Sequence, residues 1–176
     1  MLALIMAGGK GRRLGLVNKP LLKVCSKPMI EHVLSKTLAV ASYAVVALSK
    51  ATQGIEYLCR DLYNVDCVFT SGEEYVQDLS LLLTSLRKPI LVMPADTPFI
   101  SISLLRDFIA RGMDANRSVA TFVVRKAFER QYLGISLFLR DGEDWVDIEY
   151  EWSPQLINVN TVEDLIEAER MCKNDS

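Results

Sequence analysis

The sequence has a single histidine, His32, and only four cysteines, none of them in a C-x-x-C pair. One histidine cannot complete a Cys/His zinc set at any motif spacing, so a structural or catalytic zinc site has no basis here. Cys25, Cys59, Cys67 and Cys172 are therefore expected as four reduced thiols. Nothing around Cys25 ("KVCSK") or Cys59 ("YLCRD") supports a nucleophilic Cys–His pair. Excess charge is also lacking: 20 Lys and Arg against 22 Asp and Glu leave a net charge of -2. That balance gives no global attraction to nucleic acid or anionic lipid, so any anion site must be local. No apolar run is long enough to span a bilayer, and Leu2 to Ala7 are too few for the apolar region of a signal peptide. A cytoplasmic protein with no membrane span and no nucleic-acid partner is the expectation. Repeats and low-complexity tracts are missing as well.

What is present is a hydrophobic half in a chain of 176 residues, which suits one globular domain over residues 1–176. Short apolar runs alternate with amphipathic segments. "LALIM", "YAVVALS", "DCVFT", "PILVMPAD" and "SVATFVV" read as buried strands, and "GISLFLR" as a further short one. "PMIEHVLSKTLAV", "TQGIEYLCRDLY", "EYVQDLSLLLTSL", "SISLLRDFIARG" and "TVEDLIEAERMCK" read as helices. Pro28 suits a first helical turn, Ser101 is a candidate N-cap, and Thr161 with Asp164 forms a candidate capping box. His32 falls within a helical period as a surface or capping residue rather than a base. "RDGEDWVDIEYEWSPQ" reads as an acidic surface excursion. The βαβα order predicts an α/β fold of three layers, with a mostly parallel, mixed sheet between helices.

In such sheets, ligands bind beyond the carboxyl ends of the strands. The first of those ends is Ala7, followed by "GGKGRRLG". A dinucleotide fingerprint starting at Gly9 has Gly11 but fails at Leu14, and a Walker loop starting at Gly8 fails at Arg13. What remains is a glycine turn carrying Lys10, Arg12 and Arg13, with Lys19 close behind. Backbone amides and four cations in one place suit a triphosphate.

The stretch "LIMAGGKGRRLG…KP" resembles the signature L-x-A-G-G-x-[SG]-x-R-[ML]-G-x(n)-K-P of nucleotidyltransferases with a GT-A-like, Rossmann-like fold. "LVMPADTPFIS" resembles that family's metal-binding strand end, and "INVNTVEDLIEAE" its N-[IV]-N-T-x-E-D-L segment. "TSGEEYVQDLSLLL" resembles the S-G-x-x-Y-x-x-D-L segment of archaeal adenosylcobinamide-phosphate guanylyltransferases. Two features depart from those enzymes. "RR" stands where Thr or Ser often precedes the arginine, and "TPFIS" follows the aspartate as in the molybdenum cofactor guanylyltransferases.

The resemblance implies transfer of GMP from GTP to an acceptor phosphate, in first place adenosylcobinamide phosphate, with release of pyrophosphate. The molybdenum cofactor, or a small phosphorylated alcohol or sugar taking a cytidylyl or uridylyl group, are the alternatives. A nucleotide sensor without turnover is a reading of a different class. The resemblance also implies the roles of residues. Arg13, Lys19 and Asp96 are catalytic. Ala7, Gly8, Gly9, Lys10, Gly11, Arg12, Arg13, Lys19, Ser71, Gly72, Asp78 and Ala95 line the nucleotide. Asp96 and Asn160 hold Mg²⁺, and Gly134 and Asn158 face the acceptor. Asp78 and Glu73 both remain candidates for reading guanine, since a carboxylate can accept from N1–H and the 2-amino group. Asn158 either touches ligand or orients its loop. Trp145 and Trp152 either line a large acceptor or are partly buried surface aromatics. A monomer or a homodimer is expected.

Overall fold

The apolar runs become strands because each is too short for a helix of useful length and too apolar to leave a face in water. The computed structural model describes residues 1–8 and 18–174. The strands are β1 (Leu2–Met6), β2 (Lys23–Val24), β3 (Lys27–Pro28), β4 (Tyr43–Leu48), β5 (Val65–Phe69), β6 (Ile90–Pro94), β7 (Val119–Lys126), β8 (Glu129–Phe138) and β9 (Trp145–Glu151). The helices are α1 (Met29–Leu38), α2 (Tyr57–Asp61), α3 (Tyr75–Ser85), α4 (Ile102–Asp114) and α5 (Val162–Asn174).

Seven strands form one sheet in the order β5-β4-β1-β6-β8-β7-β9, and β2 and β3 form a separate hairpin. β5, β4, β1 and β6 are parallel, β8 runs against both β6 and β7, and β9 is parallel to β7. The sheet is therefore mixed and mostly parallel, as expected. Alternate residues of the central strands enter opposite layers. Ala3, Ile5, Val46, Leu91 and Met93 join Ile30, Val33, Leu105 and Phe108 of α1 and α4. Leu4, Val45, Ala47 and Val92 meet Leu79, Leu82 and Leu83 of α3 on the other side. α5 packs separately, with Ala168 against Val24, Met29 and Val159.

Two of the expected caps form. Ser101 Oγ accepts from the Leu104 amide at 3.2 Å. Thr161 Oγ1 accepts from the Asp164 amide while Asp164 Oδ2 accepts from the Thr161 amide, a reciprocal box closed by Asp in place of the usual Glu. His32 is partly buried in the first turn of α1, where its Nε2 lies 2.8 Å from the Val24 carbonyl and ties α1 to β2.

Four expectations are corrected. The "surface excursion" contains β9, whose Val146, Ile148 and Tyr150 alternate inward while Asp147 and Glu149 face out. "TQGIEYLCRDLY" is not one helix. A 3-10 turn over Lys50–Ile55 kinks at Thr52 before the short α2, because Ser49 and Thr52 cap each other reciprocally. The strand expected over "GISLFLR" begins earlier, at Glu129, and forms a hairpin with β7. Finally, the four thiols are not free. Cys25 pairs with Cys172 and Cys59 with Cys67, at Cα separations of 5.3 Å and 5.6 Å. Both separations lie in the range a disulfide spans, a proximity that sequence spacing did not reveal. Among the described residues, no helix is long and apolar enough to cross a membrane.

Candidate active site

The carboxyl ends of β1, β4, β5 and β6 meet at one rim. Ala7 extends β1 there, with its amide on the Ala47 carbonyl at 2.9 Å. Gly8 follows in a tight space, where an added side chain would press on its neighbours. A Cβ on it would come within 3.1 Å of Thr70 Oγ1 and 3.2 Å of the Leu48 carbonyl carbon. Gly72 closes the same corner at φ 67°, where a Cβ would fall 2.4 Å from Ser49 Cβ. The corner is thus backbone-lined and built from three strands, which suits close approach of a ligand. Gly9, Lys10, Gly11, Arg12 and Arg13 lie outside the described residues.

The turn after β5 is fixed by Asp78, which is buried at 6% exposure in the first turns of α3. Its Oδ1 accepts from the Ser71 amide (3.1 Å) and hydroxyl (2.8 Å), and its Oδ2 from the Gly72 amide (2.8 Å). Burial alone would raise the Asp78 carboxyl. The hydrogen bonds from Ser71, Gly72 and Thr70 outweigh it and hold the group below its ordinary value of 3.8. Asp78 therefore works first as the anchor of the Ser71–Gly72 turn. Glu73 sits exposed at the end of that turn, its amide on Ser71 Oγ.

The second half of the site lies beyond β6. Ala95 is buried, and Asp96 follows with its carbonyl bound to the Val159 amide at 2.9 Å. That bond docks the segment before α5 onto β6 and brings Asn160 beside Asp96. Lys19, in a 3-10 turn over Lys19–Leu21, bridges the two. Its Nζ donates to Asp96 Oδ2 at 2.6 Å and to Asn160 Oδ1 at 2.8 Å. Residues 77 and 141 positions apart in the chain, as these partners are from Lys19, converge on one ammonium. Sequence separation hides this contact, although all three residues had been singled out individually.

Four buried side-chain oxygens have no hydrogen-bond partner among the described residues: Asn18 Oδ1, Asp96 Oδ1, Thr97 Oγ1 and Asn158 Oδ1. Each is Asp96 itself or lies within two residues of a member of the lysine cluster. An unpaired buried polar atom costs about 1–3 kcal/mol, so a group of them marks a place meant for a polar or cationic ligand. Asn18 and Thr97 were not singled out in the sequence. Tyr75 faces the same charge. Half of its surface is exposed. Local desolvation and then the negative charge of Asp96 nevertheless push its hydroxyl above the ordinary value.

Gly134, expected to face the acceptor, lies in β8 beside the end of β6. It is exposed at φ 79°, and a Cβ on it would stand 3.7 Å from Pro94, two residues before Asp96. It occupies an irregularity where Thr121 pairs with Ser136 but Val123 already pairs with Tyr132. Trp152 lies just past β9 with Lys126 Nζ 4.4 Å over its ring, and Trp145 begins β9 at the opposite end of that strand. Trp145 is therefore not brought to the site.

A backbone-lined corner at the strand ends, a buried carboxylate and a lysine bridge lie on a sheet whose order is that of a nucleotidyltransferase of GT-A-like fold. The chain belongs to the MobA-like NTP transferase domain family, whose signature covers residues 3–168. It is 27% identical over 193 residues to the adenosylcobinamide-phosphate guanylyltransferase of Methanocaldococcus jannaschii, covering 98% of each chain. It is 28% identical over 184 residues to the molybdenum cofactor guanylyltransferase of Shewanella pealeana, covering 92% of this chain and 90% of that protein. Among solved structures, the 4-diphosphocytidyl-2C-methyl-D-erythritol synthase of Anaerococcus prevotii superimposes with a TM-score of 0.77 at 14% identity, covering 98% of this chain and 95% of that one. The molybdopterin-guanine dinucleotide biosynthesis protein A of Archaeoglobus fulgidus gives 0.72 at 19% identity, covering 99% and 100%. The last two likenesses concern the fold.

Proposed function

We propose that the chain transfers GMP from GTP to an acceptor phosphate, and that the acceptor is adenosylcobinamide phosphate. The observation that carries the reading is the Lys19–Asp96–Asn160 cluster beside the backbone-lined corner at Gly8 and Gly72. The full-length match to a relative of that activity supports the choice of acceptor. Matches to molybdenum cofactor guanylyltransferases keep that cofactor as the second reading.

In this reading an oxygen of the acceptor phosphate attacks the α-phosphorus of GTP. The bond from that phosphorus to the bridging oxygen breaks, and pyrophosphate leaves with the electron pair. The nucleophile is already an anion, so no strong general base is required. The work is alignment and neutralisation of developing charge. Lys19 leaves its two oxygen partners for the phosphates, while the backbone at Gly8 approaches the triphosphate. Ser71 and Gly72, fixed by Asp78, meet the base or ribose.

The oxygens this frees fit Mg²⁺. Asp96 Oδ1 is buried without a partner, and Asn160 Oδ1 stands on the other side of the ammonium. One carboxylate, one amide oxygen, phosphate oxygens and water make the all-oxygen set this ion prefers. When bound, Mg²⁺ supplies charge neutralisation at the phosphates. The test is a pyrophosphate-release assay crossing GTP, ATP, CTP and UTP with adenosylcobinamide phosphate and other acceptor phosphates. Release only with GTP and adenosylcobinamide phosphate supports the proposal. Release with CTP or UTP and a sugar phosphate overturns it.

A further inference from the structure

Asn160 lies just before the cap residue of α5, and its backbone is held from both sides. On one side the Val159 amide donates to the Asp96 carbonyl at 2.9 Å, and Val159 itself is fully buried against Val24, Met29 and Ala168. On the other side the Asn160 amide donates to Asp164 Oδ2 at 2.9 Å. The same oxygen takes the Thr161 amide at 2.8 Å. Between these anchors, Asn160 Oδ1 accepts from Lys19 Nζ at 2.8 Å.

The bond from Asn160 to Asp164 is not one the helix needs. A capping box asks the acid three residues past the cap to accept one amide, that of the cap residue, here Thr161. Thr161 Oγ1 completes the box by accepting from the Asp164 amide. The Asn160 amide precedes the cap and is not among the orphan donors of the helix's first turn. The helix dipole does not require this carboxylate either, because Glu163 already brings exposed negative charge to the same turn. Asp164 is instead partly buried and turned back onto the segment that carries Asn160. Aspartate in place of the usual glutamate suits this double task. Its shorter arm keeps the carboxylate close to the backbone, where one oxygen can accept from two successive amides.

We propose that Asp164 is a positioning residue for the transfer reaction: by taking the Asn160 amide as well as the Thr161 amide, its short carboxylate fixes Asn160 Oδ1 beside Lys19 and Asp96. The inference rests on the guanylyltransferase reading, in which that oxygen is freed for Mg²⁺. A shift of the Asn160 backbone carries its side-chain oxygen with it, and a misplacement of about 1 Å in an aligned site can cost about 10²-fold in rate.

The test compares Asp164→Glu with Thr161→Ala in the full chain. Asp164→Glu puts the usual box partner at this position, so α5 stays capped. Its longer arm should release the Asn160 amide. Hydrogen exchange followed by NMR, without acceptor, should show that amide exchanging at least about ten-fold faster, while Leu165 and the amides after it in α5 are unchanged. At saturating GTP and Mg²⁺, kcat should fall by about ten-fold or more, with KM for GTP within about two-fold of wild type. Thr161→Ala removes the hydroxyl's half of the box and leaves Asp164 on the Asn160 amide. It should lower the melting temperature by about 2–4 °C and leave kcat within about two-fold of wild type. If Asp164→Glu unfolds α5, Asp164→Asn takes its place with the same expected directions, because a neutral amide oxygen is a poorer acceptor for two donors. Wild-type kcat in the folded Asp164 variant, or an equal loss of kcat in Thr161→Ala, makes Asp164 a helix cap and overturns the inference alone. No transfer by the wild type overturns the functional reading, and this inference with it.

Discussion

At the scale of residues, the lysine bridge and the buried aspartate make different demands. Asp96 holds its place through the Val159 amide, a backbone bond that a side-chain change leaves intact. Asp96→Asn therefore keeps the docking of the α5 segment and removes only the charge. Turnover should fall by about 10²–10³ or more, while GTP affinity measured by calorimetry falls much less. Unchanged turnover across a Mg²⁺ titration would make Asp96 a turn residue. Asp78 anchors the Ser71–Gly72 turn and is a stability residue. Its carboxyl is held below 3.8 in the fold, so its contribution is full above the unfolded value and is lost as pH falls through the lower folded value. Asp78→Asn should lower unfolding free energy by about 1–3 kcal/mol at neutral pH. Denaturant curves for the two proteins should converge in strong acid, and a gap constant over pH would rule out the charge as its source. The sequence exposed these residues one at a time. It could not show that Asp78 spends its oxygens on Ser71 and Gly72, because that depends on where α3 starts relative to β5.

At the scale of elements, the parallel half of the sheet was legible because its strands are continuous apolar runs buried on both faces. β9 was not, because an edge strand needs apolar residues at every second position only, and Trp145 to Glu151 interleaves them with acids. The pattern was present but was masked by its linker-like composition. The 3-10 turn before α2 was misread for a related reason: helical spacing of apolar residues continues through it, while the break comes from Ser49 and Thr52 hydrogen bonds. The turn at Gly72 gives a sharp prediction. Gly72→Ala forces a left-handed backbone on a residue with a Cβ, 2.4 Å from Ser49 Cβ. It should cost about 1–3 kcal/mol of stability, and should weaken GTP binding in protein that remains folded. A variant with wild-type melting and wild-type affinity would remove the corner from the nucleotide site.

At the scale of the whole molecule, the Cys25–Cys172 bridge ties the end of the chain to the β2–β3 hairpin across 147 positions. It pins α5, the helix whose approach segment supplies Asn158 and Asn160. Closing so long a loop contributes about 2–5 kcal/mol in the chain-entropy account. Cys59–Cys67 closes a loop of only 8 positions and should contribute less. Cys172→Ser should therefore lower the melting temperature more than Cys67→Ser. Alkylation of the unreduced, denatured protein should find both pairs blocked. Four accessible thiols in freshly purified protein would return the chain to the reduced state its composition suggested.

The most direct test of guanylyl transfer follows the label. GTP carrying ³²P at the α-position is incubated with Mg²⁺, the protein and adenosylcobinamide phosphate, beside a parallel reaction with γ-labelled GTP. The α-label should move into the acceptor and the γ-label into pyrophosphate, with α-labelled ATP at least about 100-fold less effective. Tight GTP binding with α-label remaining in GTP whatever acceptor phosphate is supplied would contradict it, and would leave the chain a nucleotide-binding module without turnover.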